Sequence, residues 1–129
     1  MKNPRFLARV FSREEIALFE KRGMSPQTVA ANWAAKEAFS KALGTGIRGF
    51  SLREVAVLRD SLGAPFLQLS GMALAVARQR NLHFSVSLSH TAELALAFVI
   101  AYDAAPCHNH ALPILHPPQP NAGEKGTLN

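Results

Sequence analysis

A chain of 129 residues that is 48% hydrophobic and 18% charged has ordinary globular composition and is long enough to bury one domain core. Its net charge of +5 and pI near 10 point to an acidic or phosphate-bearing partner. A single Trp and a single Tyr provide no basic–aromatic interleaving of the kind that single-strand nucleic-acid binders use.

The lone cysteine, Cys107, excludes an internal disulfide and fits a reducing compartment. The start MKNPRFLARVF has no apolar signal-peptide core, and the longest apolar stretch, LALAFVIAY, is far below the roughly 20 residues that span a bilayer. A soluble, cytoplasmic protein without a membrane partner is expected.

Asn3-Pro4 reads as a helix start, with Asn as N-cap and Pro at the first position. Arg5, Arg9 and Arg13 recur at four-residue spacing, an ordinary pattern for a solvated face. Ser12 heads SREE, a capping box closing on Glu15, so a second short helix runs to about Arg22 and ends at Gly23. Ser25-Pro26 opens a third helix, rich in Ala, that closes at Gly44 in the C′ position. From Ser51 the period changes. REVAVLRD and PFLQLS alternate as strands, and Asp60 to Pro65 between them reads as a hairpin turn. GMALAVARQRN is a short amphipathic helix with Met72, Ala75, Val76 and Gln79 on its spacing. HFSVSLSH then sets Phe84, Val86 and Leu88 against Ser85, Ser87 and Ser89, the serines marking an exposed side. ELALAFVIAY places Leu94, Leu96, Phe98 and Ile100 on one face, and the HTAE segment joins the two strands as a hairpin. Beyond Asp103 the chain is Pro-rich and without period, so residues 104–129 read as a disordered tail after a domain over 1–103. The CHNH run and His116 in that tail match no standard metal-site spacing. Helices first, then strands with one helix inserted, make an α+β domain.

The chemistry concentrates in WAAKEAFSKALGTG, Trp33 to Gly46. Helical spacing puts Trp33, Glu37 and Lys41 on one stripe, with Lys36 and Ser40 on the stripe beside it. One reading is an i,i+4 Glu–Lys pair worth about 0.3–0.5 kcal/mol, with Lys36 merely solvated. The other is a cradle for phosphates and a cation. A helix C′ position needs one glycine, so Gly46 is surplus to it. Two glycines around a threonine let a backbone approach a ligand and aim N–H groups at an anion. A carboxylate can hold a hard cation there, and lysines supply point charges.

The segment WAAKEAFSKALGTGI resembles the signature of holo-[acyl-carrier-protein] synthase, the small trimeric type of 4′-phosphopantetheinyl transferase. EVAVLRDSLGAPFLQLSG resembles that family's strand–turn–strand with its D-x-x-G-x-P turn, and FSVSLSHTAELALAFVIA its final hairpin. RFLARVFSREEIALF resembles its basic N-terminal helix and the segment that follows, so the likeness covers about Arg5 to Tyr102. The resemblance implies the transferase fold, helices packed on a small antiparallel sheet. It implies transfer of the phosphopantetheine arm from coenzyme A to a serine of an apo acyl-carrier protein, releasing adenosine 3′,5′-bisphosphate, as in fatty acid biosynthesis. By the same resemblance Glu37 would bind Mg²⁺, and Lys41 would neutralise charge at the phosphate being cleaved. Gly44 would border the coenzyme and Pro65 would lie at its adenine end. His90 and Thr91 would approach the phosphates from a neighbouring subunit of a homotrimer. Arg5, Arg9 and Arg13 would dock the acidic carrier protein, which also accounts for the basic charge.

Two departures from the family pattern stand out. The family opens with a strand whose aspartate is the second metal ligand. Here no aspartate precedes Asp60, which sits in a hairpin turn and is no obvious substitute, so the chain reads as N-terminally truncated relative to the family. Asn32 occupies a position that is commonly basic in the family, near the coenzyme's phosphates, so weaker coenzyme binding is expected. The alternatives are a non-catalytic remnant that binds coenzyme A or carrier protein, and a small basic nucleic-acid-binding domain with steep salt dependence.

Overall fold

In the computed structural model, residues 3–46 and 48–103 are described. The proposed tail, with Cys107, the CHNH run and His116, lies outside them. The elements run α1 (Pro4–Val10), α2 (Arg13–Lys21), α3 (Pro26–Leu43), a 3₁₀ turn (Leu52–Glu54), β1 (Val55–Arg59), β2 (Pro65–Leu69), α4 (Gly71–Gln79), β3 (Leu82–His90) and β4 (Ala95–Asp103).

Each helix starts where local chemistry directs it. Asn3 Oδ1 accepts from the amides of Arg5 (2.8 Å) and Phe6 (3.3 Å), with Pro4 behind the cap. Ser12 and Glu15 form the expected capping box, the Glu15 amide donating to Ser12 Oγ at 3.1 Å and the Ser12 amide to Glu15 Oε1 at 3.0 Å. Phe11 is extended, so the arginines do not share one helix: Arg5 and Arg9 stand on α1, Arg13 begins α2, and all three are exposed.

The 18-residue α3 organises the fold. Its N-terminal half packs with α1 and α2 around Leu7, Val10, Phe11, Phe19 and Val29. Its C-terminal half supplies Ala35, Phe39 and Leu43 to a second cluster with Val55 and Val57 of β1, Leu67 of β2, Ala73 and Ala77 of α4 and Phe84 of β3. Phe39 meets Phe84 at 4.7 Å and Phe50 edge-on at 5.6 Å between ring centroids. The face of α4 that packs is Ala73–Val76–Ala77; Met72, Ala75 and Gln79 point outward, contrary to the sequence expectation. The small alanines bring that helix close to the core, a fit that a larger Met at the contact would prevent.

The single small sheet expected from the sequence is instead two separate antiparallel ladders, β1 with β2 and β3 with β4. Register pairs Val57 with Leu67 in the first, and Val86 with Val99 in the second. In the second hairpin Phe84, Val86, Leu88, Ala97, Val99 and Ala101 pack inward against the core. Its outer face carries the serines of β3 beside Leu96, Phe98, Ile100 and Tyr102 of β4, with Leu96 and Phe98 67% and 64% exposed. No helix among the described residues is long and apolar enough to cross a membrane.

Candidate functional site

Glu37 and Lys41 stand one turn apart on α3, Glu37 half-buried and Lys41 exposed. They do not form the i,i+4 pair: the ion pair among the described residues is Lys36–Glu15, and neither Glu37 nor Lys41 is engaged in one. The stripe runs into a left-handed Gly44 at φ 88°, whose amide donates to the carbonyls of Ser40 (3.2 Å) and Lys41 (3.0 Å). Gly46, at φ 70°, is not surplus to the helix end. Its amide also donates to the Ser40 carbonyl at 3.2 Å, so it closes the helix rather than facing an anion. Arg80 adds a side-chain donor to the Leu43 carbonyl at 2.9 Å, tying this end of α3 to the end of α4. A half-buried carboxylate, an exposed ammonium, neither ion-paired among the described residues, and a constrained glycine turn thus follow one another along the helix.

The stripe beside it is entirely different. Lys36 is fully buried, not solvated as its position next to Glu37 suggested. Its Nζ donates to Glu15 Oε1 (2.7 Å), the Leu52 carbonyl (2.8 Å) and the Val55 carbonyl (2.6 Å), and lies 5.2 Å from the Phe11 ring centroid. Glu15 Oε2 accepts from Asn32 Nδ2 (3.0 Å) and the Val57 amide (3.2 Å). Asn32, expected near the coenzyme's phosphates, is buried as well. Its Nδ2 also donates to the Val57 carbonyl at 2.9 Å, and its Oδ1 accepts from the Arg59 guanidinium at 3.1 Å. Burial pulls Lys36 below the ordinary lysine range, against the opposing attraction of Glu15. Arg59 is lowered too, by burial and then by the neighbouring Arg22, with Glu15 again opposing. Sequence reading missed this node, although the spacing Val29–Asn32–Lys36–Phe39–Leu43 traces one buried stripe and contains both polar residues.

The remaining predicted residues lie elsewhere. Pro65 opens β2 opposite Arg59, whose side chain reaches Asn32 in the N-terminal half of α3. His90 ends β3 paired with Ala95, and Thr91 shapes the hairpin, its Oγ1 accepting from the amides of Glu93 (3.1 Å) and Leu94 (3.0 Å). Thr91 to Ala95 share a small recess with Pro26, Gln27 and Ala30, the first turns of α3. At 1.5 Å per residue, that is about 20 Å along the helix from Gly44. Thr91 therefore sits beside the first turns of α3, with Glu37 midway along the helix and Gly44 at its far end.

Comparison with known proteins agrees with this arrangement of elements. Residues 1–99 match the sequence profile of the 4′-phosphopantetheinyl transferase superfamily. A holo-[acyl-carrier-protein] synthase of Clostridium botulinum is 43% identical over 98 residues, covering 76% of this chain and 80% of that protein. The crystal structure of the synthase from Neisseria meningitidis superposes with a TM-score of 0.73 at 34% identity, over 79% of this chain and 83% of that one. The Helicobacter pylori synthase, solved in complex with coenzyme A, gives a TM-score of 0.65 at 32% identity, over 76% of this chain and 82% of its own. In both fold and sequence the chain belongs to the 4′-phosphopantetheinyl transferase superfamily, among the holo-[acyl-carrier-protein] synthases.

Proposed function

We propose that this chain transfers the 4′-phosphopantetheine arm of coenzyme A to a serine of an apo acyl-carrier protein in the cytoplasm. The reaction is Mg²⁺-dependent, and its sites are shared between the subunits of a homotrimer. The observation that carries the reading is the half-buried Glu37 and exposed Lys41, without an ion-pair partner among the described residues, on one stripe leading into the Gly44 turn. A solvated face would be expected to pair such charges; a phosphate site keeps them available. In the transfer, the serine oxygen bonds to the phosphorus that carries the pantetheine arm. The pyrophosphate P–O bond breaks, adenosine 3′,5′-bisphosphate leaves, and the serine proton passes to a carboxylate or water. Lys41 neutralises charge on the phosphate, and Gly44 lets the coenzyme approach the backbone.

Mg²⁺ fits a sparse protein site because it keeps waters and substrate oxygens and takes only one or two carboxylates. Glu37, half-buried on α3, would supply one. Held by Glu37, such an ion would offset the charge of the pyrophosphate.

In the proposed trimer, Pro65, His90 and Thr91 of one subunit would complete the coenzyme site that Glu37 and Gly44 of its neighbour begin. The outward strip Leu94, Leu96, Phe98, Ile100 and Tyr102 is the surface such a neighbour would cover. The exposed Arg5, Arg9 and Arg13 are available to an acidic carrier protein.

Mass spectrometry of an apo acyl-carrier protein incubated with the chain, coenzyme A and Mg²⁺ tests the reading. A gain of about 340 Da, one phosphopantetheine arm, that is lost with Glu37→Ala supports it. A folded chain that binds coenzyme A but yields no mass gain is instead a non-catalytic binder.

A further inference from the structure

Glu15 and Lys36 meet where α2, α3, the 3₁₀ turn and β1 converge, and both are fully buried. Every bond that the Lys36 ammonium makes leaves α3 for another element. Lys36 reaches α2 through Glu15, the 3₁₀ turn through the Leu52 carbonyl and β1 through the Val55 carbonyl. Glu15 in turn holds the Ser12 amide at the α1–α2 junction, the Val57 amide of β1 and Asn32 of α3. For volume alone, an apolar pair would serve about as well, since a buried ion pair is often no more stabilising than its hydrophobic replacement. What an apolar pair cannot supply is direction: three donors on one ammonium allow a single rotation and height of the helix.

Glu37 is the next residue, so its carboxylate leaves α3 about 100° around the axis from Lys36. Any rotation or slide of α3 would move it against whatever lies beside the helix. We infer that Glu15 and Lys36 are positioning residues: their buried, fully bonded pair fixes the rotation of α3 against α2 and β1 and thereby aims the Glu37 carboxylate at the metal–pyrophosphate group. The inference rests on the transferase reading above. A separate contact joins α3 to the arginine-bearing α1: Phe6 of α1 packs on Trp33 with ring centroids 6.0 Å apart.

Lys36→Met keeps an unbranched chain one atom shorter and removes all the donors. In a variant that unfolds cooperatively in urea, the Mg²⁺ concentration for half-maximal transfer should rise at least about tenfold, as for outer partners of metal ligands. The KM for coenzyme A should change little, a split that general loss of folded protein would not produce. Trp33, the single tryptophan, should shift its fluorescence emission as α3 turns against Phe6. Glu15→Gln, which preserves shape, should move both readouts the same way, and it decides the matter if Lys36→Met does not fold. A folded variant with the wild-type Mg²⁺ requirement overturns the inference. If the wild-type chain itself transfers nothing, the transferase reading fails separately. The Trp33 emission then decides alone: a shift in the folded variants supports the seating role, and wild-type spectra in both overturn it.

Discussion

Two stripes of one helix lie side by side in this molecule and face different environments. Asn32, Lys36 and Ser40 are buried, and the first two have their polar atoms bonded to other elements. Trp33 packs on Phe6, Glu37 is half-buried and Lys41 exposed, and the two charges there remain unpaired among the described residues. Lys36 and Lys41 have the same chemistry and opposite surroundings. Where water is absent a charge must be satisfied by the protein or neutralised, so the buried stripe is built for fixed geometry. On the outer stripe water can reach and support the charges.

The comparison breaks most sharply if the buried lysine is removed. Lys36→Met leaves Glu15 charged and unpaired in the interior and should lower unfolding free energy by about 3–5 kcal/mol in urea titrations. Glu37→Gln is the mirror case. Transfer should fall at least about hundredfold while unfolding free energy stays within about 0.5 kcal/mol of wild type. A large stability loss at Glu37 would erase the distinction between the stripes. Phe98→Asp, on the outer face of β4, should weaken subunit association by about 2 kcal/mol per interface, read as smaller species in sedimentation velocity. Arg9→Glu on α1 should raise the KM for the carrier protein about fivefold, an effect that salt reduces, without altering the KM for coenzyme A.

The smallest effect is a pH dependence. Lys36 has a folded-state pKa below the 10.5 of the unfolded chain, so between the two values the unfolded chain holds a proton that the folded chain has released. Stability relative to Lys36→Met should therefore rise with pH through that window and level off above 10.5. Denaturation midpoints of the two proteins at several alkaline pH values measure this.

Much of the layout was legible locally. The Asn3, Ser12 and Ser25 caps and the Gly44 terminus place three helices with little help from tertiary contacts. The alternation in β3 correctly separates Phe84, Val86 and Leu88 from the serines. Other features were not legible, because they depend on what packs opposite. In β4 both faces are apolar, and only the approach of α3 selects the small Ala97, Val99 and Ala101 to face inward, leaving the larger Leu96 and Phe98 outside. In α4 the same preference for small residues turns Ala73 and Ala77 inward instead of Met72. Glu15 was readable as half of a capping box, but not as the partner of a lysine 21 positions later.

By itself, the amino-acid sequence determined the helix ends, the strand periods, the glycine turn after α3 and the motif that places the chain in its family. These rest on interactions within a few residues or on residue identity in order. Only the tertiary structure decided that Lys36 is fully buried while Glu37 is half-buried, that Gly46 serves the helix end, and that Thr91 lies beside the first turns of α3, away from Gly44. Burial and distance between elements are set by which surfaces meet, and short-range spacing carries no record of that.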